Sequence, residues 1–191
     1  IEDAANGELL EPGASKAFAV CDNQAAHIYV NDNQVFGKVK ELLEKTEGVA
    51  QVLEAQESET LGHARSGQLL AIAESDAWFA YPYWLNEVKA PDFAECVDIF
   101  NKPGFDPCEM FLKPGLGGTL HAAKRFAQLK LGIRAPFDVI QADPFAVRGA
   151  RNIRPKSPQE SALWISSWKR DSSQAIPMQD LKALWLKRMQ A

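Results

Sequence analysis

Between Ala26 and Tyr83 the apolar residues change their spacing twice, and that alternation fixes what the segment can become. His27–Val30 has the β-branched and aromatic content of a short strand. Val35, Val39, Leu42 and Leu43 then fall at i, i+4, i+7 and i+8, one face of an amphipathic helix, and Gly48 ends it. Val49–Leu53 returns to the strand pattern. After the polar, turn-rich Gln56–Gly67, two further runs, Gln68–Ala73 and Ala77–Tyr81, are expected to pair as a hairpin around Glu74–Asp76. The period goes from 2 to 3.6 and back, which predicts a small α/β subdomain with the order β-α-β-β-β. Ala17–Cys21 predicts one more strand ahead of it.

The remainder is organised differently. Tyr81–Met110 sets Pro82, Pro91, Pro103, Gly104 and Pro107 among Trp84, Phe93, Phe100 and Phe105. Too many prolines for long elements and too many aromatics for a loose linker predict an ordered loop, with one short helix near Pro91–Val97. In Thr119–Leu131, Leu120, Ala123, Ala127 and Leu131 share a helical face, with Thr119 as N-cap and Gly132 following. Gly115–Gly118 lacks the G-K-[ST] ending of a phosphate loop and is expected as the turn that starts this helix. Ile133–Ile140 and Ala162–Ser166 are expected strands, and Ala146–Ser161 is basic and irregular. Leu181, Leu184, Trp185 and Met189 line a last helix, with Asp180 and the pair Lys187 and Arg188 placed to suit its dipole.

Composition narrows the function classes. The chain has 191 residues, 46% hydrophobic and 24% charged, enough for a true core. A formal charge of −4 and a pI near 5.5 leave no overall basic footprint for nucleic acid and no general attraction to anionic lipid. No apolar run approaches the ~20 residues of a membrane helix, so a soluble chain is expected, peripheral to a membrane only through partners. Cys21, Cys96 and Cys108 are odd in number and form no C-x-x-C, which predicts buried free thiols in a reducing compartment. The start at Ile1, without Met or signal-peptide pattern, is expected of a processed or partial chain.

Candidate chemistry is sparse. His27, His63 and His121 show no ligand spacing; a strand, a polar loop and a helix surface are their expected places, and no metal or other cofactor is expected. Arg148, Arg151, Arg154 and Lys156 form the one basic cluster. It is either an anion pocket or a solvated loop that pairs with surplus carboxylates. Trp78, Phe79, Tyr81, Tyr83 and Trp84 form a dense aromatic block, either core beneath the proline-rich loop or an interface with a partner.

Three strings carry a resemblance: Ala17–Val30, Trp78–Phe111 and Val147–Ser167, supported by the ending Ile176-Pro177-Met178-Gln179-Asp180-Leu181. Together they resemble the bacterial type I phosphodiesterase/nucleotide pyrophosphatase branch of the alkaline phosphatase superfamily. The resemblance implies a doubly wound α/β core with two divalent metals, usually zinc, and a Thr or Ser nucleophile in an N-terminal half that precedes this region. It implies three regions here: a remnant of the core sheet (1–25), a small cap-like α/β subdomain (26–83) and the C-terminal part of the core (84–191). Where the family reads A-D-H-Q this chain has Cys21-Asp22-Asn23-Gln24; where it reads D-I-H-R-K-P-G-Y-D-P, this chain has Asp98-Ile99-Phe100-Asn101-Lys102-Pro103-Gly104-Phe105-Asp106-Pro107. Where the family reads G-S-H-G it has Gly149-Ala150-Arg151-Asn152.

Each motif keeps its surroundings and loses its histidine. A phenyl ring at Phe100 has no lone pair, Asn23 has a neutral amide oxygen, and Arg151 carries a fixed positive charge, so the degenerate positions Asp22, Asn23, Asp98, Phe100 and Arg151 are expected to hold no zinc. Asp22, Asp98 and Asp106 are instead expected to bond loop backbone, a hard cation being the alternative. The expectation is a pseudoenzyme without catalytic residues, acting as a structural or docking subunit. Its partners are protein subunits, among them a chain that carries the missing half. In a eukaryote, a mitochondrion or plastid would be a natural home. The alternatives are a metal-free phosphate- or nucleotide-binding domain and one half of a split phosphodiesterase.

Overall fold

A computed structural model describes residues 2–4, 7–55, 63–84, 86–97, 102, 104–150, 155, 157–167 and 176–190, with backbone alone for 2–4 and 158. Asp98, Phe100, Arg151, Arg154 and Lys156 lie outside these residues. The chain is mixed α/β and divides into two units, Ile1–Arg154 and Pro155–Ala191.

The first unit holds a five-stranded mixed sheet in the order β5-β6-β4-β3-β7, built from β3 (Ala17–Asp22), β4 (Ala25–Val30), β5 (Val49–Glu54), β6 (Leu69–Ala73) and β7 (Gly104–Phe105). A small antiparallel ribbon, β1 (Glu2–Ala4) with β2 (Gly7–Leu9), precedes it. β4 alternates as a half-buried strand should, with Ala26, Ile28 and Val30 inside. β6 is buried at consecutive positions, Leu69, Leu70 and Ala71, so side chains on both its faces are covered, and β4 and β5 pair with its two edges. Val35, Phe36, Val39 and Leu43, on and beside α1 (Phe36–Glu44), pack against this core. The predicted helix therefore turns inward Val35, Val39 and Leu43 of the face that its spacing marks, while Leu42 is 67% exposed and Phe36 packs against the core instead.

The expected hairpin partner at Ala77–Tyr81 is irregular instead. β6 has no free edge, since β4 takes one (Ala25↔Ile72) and β5 the other (Leu53↔Leu70). The buried Gln24 side chain also holds the turn after β6, donating to the carbonyls of Glu74, Ser75 and Ala77 at 3.2, 3.3 and 3.1 Å. Phe79 N–H then donates to the Asn23 carbonyl at 2.8 Å, leading the chain across the sheet end.

Two interactions organise the proline-rich stretch. Tyr81, Tyr83 and Trp84 meet edge to face with ring centroids 5.5–6.0 Å apart, and Ala94 is buried with them. Beside them the Lys102 side chain is fully buried. Its ammonium lies 3.0 Å from Asp106 Oδ2, 3.2 Å from Glu109 Oε1 and 5.4 Å from the Tyr81 ring centroid. Asp106 Oδ1 also accepts the Cys108 N–H at 2.9 Å. β7 pairs parallel to β3 through Gly104, at φ 103°, where a Cβ would lie 2.2 Å from the Cys21 carbonyl oxygen. Successive turns replace the short helix expected near Pro91–Val97, and a 3-10 turn forms at Glu87–Lys89, capped by Asn86.

α2 spans Gly115–Lys130 and so starts before Thr119, whose hydroxyl donates back to the Gly115 carbonyl at 3.1 Å from inside the helix. Gly118 lets that first turn form, since a Cβ there would meet the Lys113 carbonyl oxygen at 2.0 Å. One carboxylate holds the helix down. Asp138 receives Arg125 Nε at 2.6 Å and Nη2 at 2.9 Å, and His121 Nε2 sits 2.9 Å from the same carboxylate. The Arg125 fork, then His121, keep the Asp138 carboxyl well below the usual carboxylate range. Ile133–Ile140 forms no strand; it contributes one bridge, Ile140↔Leu112, and bonds the loop instead, with Ile140 N–H to Glu95 and Val97 N–H to Phe137.

In the second unit α3 runs over Leu181–Met189 as its pattern predicts, with Leu181 and Leu184 half-buried and Trp185 stacked on Trp164 at 6.2 Å. Ala162–Ser166 is not a strand.

These interactions set two expectations. Lys102→Met strands two buried carboxylates and lowers unfolding free energy by about 3–5 kcal/mol in urea titration, and adding Glu109→Gln restores part of the loss. Asp138→Asn lowers the melting temperature by about 2–4 °C near neutral pH. Because Asp138's folded pKa is depressed, its contribution is complete above the unfolded value, about 3.9. It is lost as pH falls towards the folded value, so wild type and variant converge below about pH 3.9.

Candidate functional site

The turn between β3 and β4 is two residues long, Asn23-Gln24, closed by the pair Asp22↔Ala25. Asn23 takes φ 54°, a left-handed conformation that asparagine tolerates better than most side chains. It is 4% exposed, and its amide donates to Asp22 Oδ1 at 3.3 Å. Gln24 is spent on the clamp to residues 74–77. Two of the four motif residues, Asn23 and Gln24, are thus committed to shaping the fold.

Beside this turn lies a cleft of about 510 Å³, with Gln24, Asp76 and Trp78 on one wall and Phe145, Arg148 and Gly149 on the other. It unites members of two sequence features, the aromatic block through Trp78 and the basic cluster through Arg148. Arg148 is exposed and has no carboxylate partner among the described residues. A guanidinium with free donors and a half-buried indole suit an anionic or planar group, while Asp76 opposes a second negative charge nearby. Asp76 and Arg148 are the titratable side chains that line it.

The rest of the aromatic block is dispersed by packing: Phe79 lies against the sheet core, and Tyr81 and Trp84 are 5% and 8% exposed within their own cluster. Asp106 belongs to the Lys102 ion cluster. His27 Nδ1 accepts the Gly67 N–H at 3.3 Å, and His63, exposed, accepts the Arg65 N–H at 3.1 Å. Among the described residues no three His, Cys, Asp or Glu side chains gather as a ligand set. All three cysteines are free; burial pushes the Cys21 thiol up to about 11, and burial, then Asp106, the Cys108 thiol to about 12, so both stay protonated and unreactive at neutral pH.

A second surface was only half visible in the sequence. The apolar stripe of α2 exists, but it faces away from the protein: Leu116, Leu120 and Leu131 are 77%, 62% and 76% exposed, and Ala123 and Ala127 between them are exposed too. The inward face is polar, with His121 and Arg125 turned to Asp138 and Gln128 Oε1 accepting from Arg125 Nη1 at 3.1 Å. That inverts the usual arrangement of a surface helix. His121, Arg125 and Gln128 at i, i+4 and i+7 are a signal for this second stripe, readable once Asp138 is known to face it.

The chain matches no protein-family model, no curated protein and no solved structure.

Proposed function

We propose that this chain is a non-catalytic, phosphodiesterase-like domain that serves as a docking subunit of a larger protein assembly. The observation that carries the docking role is the outward apolar face of α2. Leu116 and Leu120, one turn apart, and Leu131 just past the helix end are exposed on a helix already fixed on its other side; this costs solvation in the free chain, and a partner that covers them removes that cost. The non-catalytic part is supported by the turn at Asp22-Asn23-Gln24. At the position where the resembled family has a histidine, a neutral amide closes a hairpin and bonds the neighbouring carboxylate. The alkaline-phosphatase-like core belongs to the same proposal and is supported by the three strings that carry the resemblance.

A second reading draws on the cleft, where Arg148 lies across from Trp78 without a described counter-ion. In that reading the domain holds a phosphate-bearing ligand without turning it over. A split phosphodiesterase, completed by a separate N-terminal half, has less support, because Asn23 would line the shared site.

Three measurements separate these. Purified natively, the chain is expected to run with companions, and a lone monodisperse monomer of 21.1 kDa overturns the docking role. With bis(p-nitrophenyl) phosphate and added zinc, release of nitrophenolate is expected to match buffer; turnover above that level overturns the non-catalytic reading. Calorimetric titration with AMP decides the cleft, where saturable heat that Arg148→Ala removes establishes the ligand reading and absence of heat ends it.

A further inference from the structure

We infer that the outer face of α2 receives an acidic amphipathic helix of a partner protein. The inference rests on the docking role proposed above and specifies the chemistry of the occupant. α2 is 16 residues long, about 24 Å at 1.5 Å per residue. Leu116, Leu120, Ala123, Ala127 and Leu131 fall at i, i+4, i+7, i+11 and i+15, a stripe that runs its whole length and is exposed throughout.

Charge identifies the partner. Residues 113–134 contain five Lys and Arg and no Asp or Glu, in a chain whose formal charge is −4. Lys113 is paired with Glu95 and Arg125 with Asp138, which leaves Lys124, Lys130 and Arg134 without a carboxylate among the described residues. On the helical wheel, Lys124 flanks the stripe on one side and Lys130 on the other, with Lys130 Nζ held over the Phe126 ring at 5.5 Å. An apolar seam bordered by lysines complements a helix whose apolar seam is bordered by Glu or Asp, the pattern that sets partner choice in helix pairs.

The same observations disfavour other occupants. A second copy offers α2 and α3, both carrying excess lysine and arginine, or α1, whose Lys38 and Lys40 cancel Glu41 and Glu44. None supplies the complementary charge. A bilayer rewards apolar area, and the centre of this seam is Ala123 and Ala127, which contribute little. Two alanines one turn apart instead form a shallow saddle that lets another helix approach closely, since interaxial distance follows side-chain size at the contact. Finally, His121 and Arg125 fix the inner face on Asp138, so α2 is presented as a rigid surface and does not wrap around a target.

The test uses the full chain and a fluorescent synthetic helix of about three heptads with Leu at a and d and Glu at e and g; a control peptide has Lys in place of Glu. The Glu peptide is expected to bind with saturable anisotropy, weakening about tenfold or more in Lys124→Glu/Lys130→Glu and in Leu120→Asp, and binding the Lys peptide equally weakly. Leu120, Lys124 and Lys130 are exposed, and circular dichroism confirms that the variants keep their fold. Equal binding of both peptides, or binding of neither, overturns the inference. Sedimentation with phosphatidylserine vesicles that Leu120→Asp abolishes overturns it in favour of a bilayer. If neither peptide binds while the native chain still runs with companions, the acidic-helix inference fails and the docking role stands. A lone native monomer fails the docking role itself.

Discussion

The side chain of Gln24 ties the β3–β4 hairpin to the turn after β6. Its carboxamide gathers three carbonyls of the turn after β6, and its backbone carbonyl accepts the Ala73 N–H at 2.9 Å. Both ends of the turn after β6 are thereby referred to the β3–β4 hairpin. Being 4% exposed, the amide competes with almost no water for these partners, and its loss would release three carbonyls of the turn at once. Asn23, one residue earlier, supplies the backbone conformation that puts Gln24 there. The cleft follows from this arrangement, because the turn that Gln24 holds is the wall that carries Asp76 and Trp78.

Much of the sheet could be read from residue pattern because its constraints are local. β3, β4, α1 and β5 match their expected spans to within about two residues. α3 matches as well, since Leu181, Leu184 and Trp185 follow one helical face. What failed was non-local. Ala77–Tyr81 has strand composition, yet both edges of β6 were already taken by β4 and β5, and no property of residues 77–81 reveals that. Ile133–Ile140 likewise has the apolar content of a strand and spends its backbone on loop partners.

The site was legible as composition and illegible as geometry. Trp78 and Arg148 belonged to features marked in the sequence, but that one lies across a cleft from the other depends on the turn after β6. Lys102, Asp106 and Glu109 gave no sign of forming a buried ion cluster, because burial of a lysine is rare enough that spacing alone never predicts it. The α2 stripe is the clearest case: periodicity located Leu120, Ala123, Ala127 and Leu131 on one face, and the usual rule would turn that face inward. Asp138 reverses the choice. A bidentate guanidinium–carboxylate pair, with an imidazole on the same carboxylate, fixes the polar face to the protein and leaves the leucines out.

Under the proposed reading, those geometries offer a physical reason for motif surroundings to be kept where the resembled family's histidines are not. Under the proposed reading, Asp22-Asn23-Gln24 keeps its glutamine because Gln24 closes the turn after β6. Its middle position must accept only a left-handed backbone, which asparagine and histidine both visit more readily than most residues. In the second string, Lys102, Gly104 and Asp106 are retained by burial: the lysine neutralises Asp106 and faces Glu109, and Gly104 admits the Cys21 carbonyl. Removing either partner of a desolvated pair leaves an uncompensated buried charge, at a cost of about 3–5 kcal/mol. Of the three positions where the resembled family has histidine, Asn23 alone lies among the described residues, and there the amide sits in the β3–β4 turn and bonds Asp22.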